Sequence, residues 1–303
     1  MLVAGQGRTR QRGGRAEWGA MKAPEVERAI SATTQLASSL ALAVGDTRIL
    51  SNSNKLALRL LPCNVFARVA FVGQEGFESE IEIARLLAEA NGPVARPEAR
   101  VEPRVYERDE FAVTLWRYYE QSPAKASAAD YASALEQLHA GMARLDVSAP
   151  HFTDRVTEAH RLVESQDSSS ALSDSNRALL STTLRGCSKT ISDVCSSEQL
   201  LHGEPHPGNL LTTSFGPLFI DLETCCRGPV EFDLAHVPET VSDCYSGADQ
   251  GLIAECRLLV LAMVAAWRCD PDDEFPEGDM ARRRLLAALR AGPPWPTLDV
   301  VMN

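Results

Sequence analysis

The sequence has few aromatic residues, no excess of basic charge and no apolar run long enough to span a membrane. Aromatic side chains make up 6% of the 303 residues, and 41 acidic against 30 basic side chains give a formal net charge of −11. Phosphate backbones require a basic face, and this acidic balance disfavours a surface that binds nucleic acid throughout, so we expect no nucleic-acid partner. The most apolar stretch, 258–267, is ten residues long. A span needs roughly 20 residues, so this stretch predicts a buried helix and no membrane partner.

The eight cysteines lack the spacing that metal and redox centres use. None of them forms a CxxC pair, and two are directly adjacent. Zinc ribbons and thioredoxin-like centres are therefore not predicted. The N-terminus has no apolar core of a secretory signal, so we predict a cytoplasmic protein with free thiols. Residues 1–20, rich in glycine and arginine, are predicted to be a disordered leader, with a basic nucleic-acid arm as the alternative.

The chain does contain enough apolar residues for a large core, with 45% hydrophobic and 23% charged side chains. Its first part is strand-rich. The stretch 56–71 predicts two strands around a turn at 62–64, 78–90 predicts a helix, and 101–106 with 111–116 predicts a second hairpin.

Helical periodicity dominates after a hinge near 117–123. Predicted helices occupy 128–145, parts of 154–185, 250–268 and 279–290. The sequence therefore predicts an α+β fold with two lobes and a cleft between them. The small β-rich N-terminal lobe is 21–117, and the larger helical C-terminal lobe is 118–303 with the catalytic and metal loops.

The chemistry concentrates in the segment 200–238, where polar residues stand between short apolar runs. A hairpin there is expected to bring Glu204, Asn209 and Asp221 around one small volume. An amide oxygen and a carboxylate are hard ligands that suit magnesium and leave positions for phosphate and water. A further carboxylate can accept a hydroxyl proton and orient the nucleophile. Glu204 and Asn209 have the spacing of the acid and asparagine in the kinase loop H-R-D-x-x-x-x-N, with His202 at its histidine.

Three linked motifs in this segment resemble the aminoglycoside phosphotransferase-like family, small-molecule kinases with a protein-kinase-like fold. The family pattern H-G-D-x-H-x-x-N is similar to H-G-E-P-H-P-G-N at 202–209. The strand ending I-D matches 220–221, and G-P-x-x-D-L-A matches the stretch 228–235. The resemblance covers about 34–300 and implies an ATP- and magnesium-dependent kinase of a small molecule with a hydroxyl group.

The resemblance also implies roles for residues of the helical lobe and its loops. Glu204 would be the catalytic carboxylate, and Asn209 and Asp221 would hold magnesium against the nucleotide phosphates. Asp233 and His202 would support the catalytic loop.

In the N-terminal lobe, the resemblance implies a nucleotide site. Arg68 would contact phosphate in place of the more common lysine, and Glu80, twelve residues later, would pair with it. Asn54 belongs to the short loop 51–54 over the phosphates, which lacks a G-x-G-x-x-G pattern. Trp116 and Tyr118 would flank adenine, with packing as the equal alternative.

The main departure from the family pattern is the catalytic glutamate where aspartate is usual. Its extra methylene moves the carboxylate by about an ångström, and a displacement of that size can cost roughly 10²-fold in rate. The alternative function is therefore a catalytically impaired nucleotide-binding regulatory module of the same fold. Metal-dependent hydrolysis through His202 and His206 is a third possibility. The acceptor stays open among aminoglycoside-like molecules, amino alcohols and sugars, because this fold does not determine substrate.

Overall fold

A computed structural model describes residues 20–74, 76–165, 172–271, 273, 275 and 277–302. All but the last residue of the predicted leader, 1–20, lies outside the described residues. The described chain groups by its contacts into two units. The first comprises the residues up to 125 together with 211–224, and the second comprises 126–210 and the residues from 225 onward.

The first unit is built on a five-stranded antiparallel sheet with the order β1-β2-β3-β5-β4. Its elements are α1 (Ala23–Ser39), β1 (Val44–Asn52), β2 (Leu56–Pro62), β3 (Val65–Phe71), α2 (Phe77–Glu89), β4 (Tyr106–Arg108) and β5 (Phe111–Arg117). Strand alternation buries Val65, Ala67 and Val69 of β3 in the core and turns Arg68 to the opposite face. The sheet therefore supplies a rigid base for a charged side chain.

A further hairpin, β7 (Leu210–Thr213) and β8 (Gly216–Phe219), follows much later in the chain. Phe219 is hydrogen-bonded through its backbone to Pro93 (2.8 Å) and Ala95 (2.9 Å). These bonds explain why 211–224 groups with the first unit, whereas the predicted lobe boundaries had placed it in 118–303.

The second unit is helical. Its helices are α3 (Ala128–Met142), α4 (Phe152–Glu164), α5 (Asp174–Val194), α6 (Val230–Leu234), α7 (Glu239–Ser242), α8 (Gln250–Trp267), α9 (Gly278–Ala291) and α10 (Leu298–Met302). A two-stranded sheet of β6 (Gln199–Leu201) and β9 (Cys226–Gly228) lies among them. The α+β fold with a β-rich N-terminal part and a helical C-terminal part is confirmed.

Helix α8 is longer than the ten-residue apolar run that the sequence singled out. Its 18 residues are long and apolar enough to cross a membrane by length and composition alone. Within the described structure, however, 61% of it is buried, and nine of its buried side chains belong to the core cluster of the second unit. This burial is typical of a core helix.

One predicted strand is shorter in the structure, and two elements of the structure were not predicted. The strand predicted at 101–106 begins only at Tyr106, and Pro103, which has no N–H for a ladder, lies in the loop before it. Helix α1 and strand β1 were not predicted. The buried face of α1 is mostly alanine, and seven of the nine residues of β1 are exposed, so neither gives a clear hydrophobic period.

Candidate active site

A cluster of five charged side chains lies in the first unit: Lys55, Arg68, Glu80, Asp221 and Glu223. The Arg68 guanidinium donates through Nη1 to Oε1 of Glu80 and through Nη2 to Oδ1 of Asp221, the latter at 2.9 Å. Burial acts to lower the pKa of Arg68, but the nearby carboxylates raise it above its ordinary value. The guanidinium therefore stays charged, and the predicted partners Arg68 and Glu80 lie together.

Glu80 is held in this cluster by the first turn of α2. That helix begins after Gly76, whose φ of +99° favours glycine, and the Glu80 N–H donates to the Gly76 carbonyl at 3.0 Å. Burial raises the pKa of Glu80 to about 7, and the charges of Arg68 and Lys55 only partly oppose this. Oε2 of Glu80 is buried without a hydrogen-bond partner in the described structure.

Lys55 is a member of the cluster that sequence reasoning missed. Its side chain is 6% exposed, its Nζ pairs with Glu223 and lies 4.2 Å from the centroid of the Phe77 ring. Glu223, two residues after Asp221, is the partner of this lysine. The sequence shows only a lysine directly after a polar turn, and its partner lies 168 positions away.

Asp221 follows β8 with a φ of +66°, a left-handed conformation that aspartate tolerates better than most residues. Its side chain is turned toward Arg68, as the 2.9 Å contact shows. Asp221 thus belongs to the first unit, whereas Glu204 and Asn209 belong to the second.

The three other predicted nucleotide residues have local partners. The Asn54 carbonyl accepts from Gln74 Nε2 at 3.4 Å. Trp116 is 5% exposed and its indole N–H donates to Thr114 at 2.9 Å, which is the pattern of a packing residue. The Arg59 guanidinium covers the ring of Tyr118 at 3.8 Å. No contact described in the structure joins either aromatic residue to the charged cluster.

In the second unit, the loop 202–209 is held from behind by Asp233. The two oxygens of this fully buried carboxylate accept from the backbone N–H of His202 (2.9 Å) and of Gly203 (2.8 Å). His139 Nε2 lies 2.9 Å from Oδ2. Burial acts to raise the pKa of Asp233, but the His139 hydrogen bond and the nearby histidines outweigh it and lower the pKa. Asp233 is therefore a charged group that holds the backbone of this loop.

The loop is also closed internally between Glu204 and Asn209. Asn209 Nδ2 donates to the Glu204 carbonyl at 3.0 Å, which turns the amide oxygen to the other side. Tyr131 donates its hydroxyl to the Pro205 carbonyl. Glu204 and Asn209 are both buried, at 3% and 1% exposure respectively. This arrangement presents an amide oxygen and a carboxylate from a rigid loop.

Neither histidine of this loop is arranged as one of a zinc pair. Nδ1 of His202 accepts from the Glu204 N–H (3.4 Å), and Nδ1 of His206 accepts from the Gly208 N–H (3.0 Å). Among the described residues, no three His, Cys, Asp or Glu side chains converge as a metal site. The side-chain oxygens of Asn209 and of Asp221 are each of the hard type that magnesium prefers.

Arg155, on α4, contacts the predicted catalytic carboxylate and was not found from the sequence. Its Nη2 donates to Oε1 of Glu204, and its Nη1 donates to the Gly203 carbonyl at 2.9 Å. Oε2 of Glu204 is buried without a hydrogen-bond partner among the described residues.

Comparisons with known proteins concern the family and the fold of the chain. Residues 64–254 match the model of the phosphotransferase enzyme family. In fold, the chain is similar to an amicoumacin kinase in complex with AMP-PNP and Ca2+ (11% identity, TM-score 0.66, 91% of this chain and 98% of that one). It is also similar to a choline kinase from Streptococcus pneumoniae (17% identity, TM-score 0.64, 88% and 99%).

A third similar structure is a wild-type aminoglycoside 2'-phosphotransferase in its GDP complex (15% identity, TM-score 0.67, 87% and 98%). At these identities the likeness shows the fold alone. A search of curated proteins finds no match.

Proposed function

The chain belongs to the phosphotransferase enzyme family, and from this premise we propose that it is a cytoplasmic kinase of a small hydroxylated molecule. It would transfer the γ-phosphoryl group of ATP to an acceptor alcohol with the help of magnesium. All eight cysteines are free thiols, which supports a reducing compartment.

The observation that carries this proposal is the rigid loop that presents Glu204. Asp233 fixes the backbone before Glu204, and Asn209 fixes its carbonyl. A carboxylate held in this way can accept the proton of the acceptor hydroxyl. The acceptor oxygen then bonds to the γ-phosphorus as the bond to the β-phosphate oxygen breaks, so that ADP leaves and no covalent enzyme intermediate is needed.

The charged cluster of the first unit suits the nucleotide phosphates. Arg68 would contact a phosphate through its planar guanidinium, and Glu80 holds it from the opposite side. Asn209 and Asp221 would hold magnesium, which when bound would neutralise charge on the phosphates.

The acceptor is proposed by class. The similar structures include an amicoumacin kinase, a choline kinase and an aminoglycoside phosphotransferase in complex with GDP and kanamycin. An aminoglycoside-like molecule, an amino alcohol or a sugar would each supply a hydroxyl group for Glu204.

Calorimetric titration with ATP, with and without magnesium, tests the nucleotide site. Wild type should bind ATP in a magnesium-dependent manner, and Asp221→Asn should lose the magnesium dependence because the carboxylate charge is removed. Asparagine tolerates the left-handed backbone, so the fold should survive. The matched control is Asp46→Asn on β1, an exposed carboxylate that should leave binding unchanged. A folded wild type that binds no nucleotide would contradict the proposal.

The second candidate function, a regulatory nucleotide-binding module, is favoured by the ion pair that engages Glu204. Glu204→Gln separates the two functions. A kinase should lose roughly 10²–10⁴-fold in kcat because the proton acceptor is gone, while its ATP affinity stays the same. A module would show no turnover in the wild type and no change in binding in the variant.

A further inference from the structure

The guanidinium of Arg155 donates hydrogen bonds to two neighbouring groups of the catalytic loop. It donates to the Gly203 carbonyl at 2.9 Å and to Oε1 of the next residue, Glu204. Its side chain is 11% exposed and that of Glu204 is 4% exposed, so the pair is shielded from water. Because one planar group binds both main chain and side chain, it fixes the direction of the carboxylate relative to the loop.

The two oxygens of the Glu204 carboxylate have different environments. Oε1 is held by Arg155, whereas Oε2 is buried without a hydrogen-bond partner in the described part of the chain. A buried charged oxygen without a hydrogen-bond partner is unfavourable, so such atoms are rare unless a ligand completes them. Oε2 is therefore the oxygen left to accept from the acceptor hydroxyl.

Arg155 is itself held in place by the start of α4. Phe152, three residues earlier and on the same helix face, is fully buried against Gly228 of β9. The Arg227 N–H of β9 donates to the Pro150 carbonyl at 2.8 Å just before the helix. The Trp267 ring lies 5.1 Å from Cζ of Arg155. Packing at the start of α4 therefore fixes the position of the guanidinium.

Other ionisable groups near Glu204 do not replace this contact. Arg268 follows α8, His236 follows α6 and Cys226 lies on β9, and each feels the Glu204 charge. Burial lowers the pKa of His236 to about 4 and raises that of Cys226 to about 12, so both are neutral near pH 7. Glu158 also interacts with Arg155, and burial raises the pKa of Glu158 to about 7. In the described structure, the arginine that bonds to the Glu204 carboxylate is Arg155.

We propose that Arg155 is a positioning residue that compensates for the extra methylene of Glu204, holding Oε1 so that Oε2 faces the acceptor; this rests on the proposed function. A glutamate has one more rotatable bond than an aspartate, and the ion pair removes that freedom. A shorter aspartate at this position would not reach the guanidinium.

The test is a double-mutant cycle in turnover, with MgATP and water as the acceptor probe. Arg155→Met should lower kcat about 10²-fold while the KM for ATP stays the same, because the carboxylate is misplaced and nucleotide contacts are not. Arg155→Lys should recover part of the loss. In the Glu204→Asp background, Arg155→Met should have less than about a twofold further effect, since the pair is already broken.

The pH dependence of kcat distinguishes a positioning role from a merely structural one, because loss of a structural contact would not shift it. Without its counter-ion, a buried carboxylate is disfavoured in its charged form, so the acid limb of kcat for Arg155→Met should shift to higher pH. The control is Arg161→Met on the same helix, an exposed arginine that should change neither kcat nor the profile.

Three outcomes would overturn the proposal. An equal loss from Arg155→Met in both backgrounds would mean a structural role, and a gain in kcat would mean that the pair inhibits the enzyme. If the wild type shows no turnover that depends on Glu204, the proposed function fails, and the positioning role fails with it. A cycle of urea midpoints for Arg155→Met and Glu204→Gln then still shows whether the two side chains are paired, which distinguishes the two failures.

Discussion

His236 is a buried histidine whose neighbourhood keeps it neutral. Its Nδ1 lies 2.9 Å from the Phe232 carbonyl, its ring packs against the Phe232 ring at 5.1 Å, and it is 4% exposed. Burial is the main reason that its pKa falls from 6.5 to about 4. Such a residue ties stability to pH through the difference in protons bound by the folded and unfolded chains.

The direction in which stability changes with pH follows from that lowered pKa. Between pH 6.5 and 4 the unfolded chain binds the His236 proton and the folded chain does not, so stability falls as the pH is lowered. The full contribution is about 3 kcal/mol, at 1.36 kcal/mol per pKa unit. His236→Gln, which can keep the bond to the Phe232 carbonyl, should flatten this part of the curve. Urea unfolding at several pH values measures it, and parallel curves for variant and wild type would contradict it.

The charged side chains differ in how far the sequence reveals them. Arg68 and Glu80 are twelve residues apart on consecutive elements, so a family pattern could pair them. Lys55 with Glu223 and Arg155 with Glu204 are 168 and 49 positions apart, and no local spacing connects them. Long-range ion pairs depend on the packing of whole elements, which a single sequence does not encode in any short motif.

The start of α4 depends on a glycine in β9. A Cβ added at Gly228 would lie 2.9 Å from Cδ1 of Phe152 and 3.3 Å from Cδ1 of Leu201. Both of these neighbours are fully buried, so neither can move aside easily. The position is thus closed to larger side chains by packing, not by backbone conformation.

Gly228→Ala should therefore destabilise the protein by about 1–3 kcal/mol, the usual cost of overpacking a core. The matched control is Gly186→Ala in α5, where an added Cβ would meet nothing within 4 Å. That change should stabilise the protein by about 0.5–1 kcal/mol, because alanine favours the helix. Free energies of unfolding in urea give both values, and equal effects of the two substitutions would disprove the packing argument.

The helices with strong periods were predictable, and the weakly patterned elements were not. Helix α2 begins and ends within one residue of its prediction, because Ile81, Ala84 and Leu87 give a clear apolar face. Helix α1 buries mainly alanines, and their weak hydrophobicity differs little from that of the exposed residues between them. The pairing of β6 with β9 joins strands of three residues each, too short to show a period.

Across the whole molecule, the sequence predicted the order of motifs better than their grouping. The hairpin that carries Asp221 lies next to the catalytic loop in sequence, so the predicted lobe 118–303 contained both. The structure instead groups 211–224 with the N-terminal sheet, because Phe219 bonds to the backbone at Pro93 and Ala95. Those hydrogen bonds join segments more than 120 residues apart, and neither segment contains a sequence pattern that predicts the pairing.

The eight cysteines give a prediction that involves the whole chain. Cys244 is exposed and Cys63 and Cys195 are partly exposed. The other five are buried, namely Cys187, Cys225, Cys226, Cys256 and Cys269. Burial raises the pKa of Cys187 and of Cys226 to about 12 and that of Cys269 to about 11, so little reactive thiolate forms.

Titration with a thiol reagent at pH 8 should therefore proceed in stages. In the native protein Cys244 should react first and Cys63 and Cys195 more slowly, while the five buried thiols stay protected. In denaturant without reductant all eight should react, because none is in a disulfide. Fewer than eight reactive thiols in denaturant would reveal a disulfide. Fast reaction of all eight thiols in the native state would contradict the burial of five of them in the core. The same titration applied to Gly228→Ala would show whether Cys226, in the same strand, loses protection when the start of α4 is disturbed.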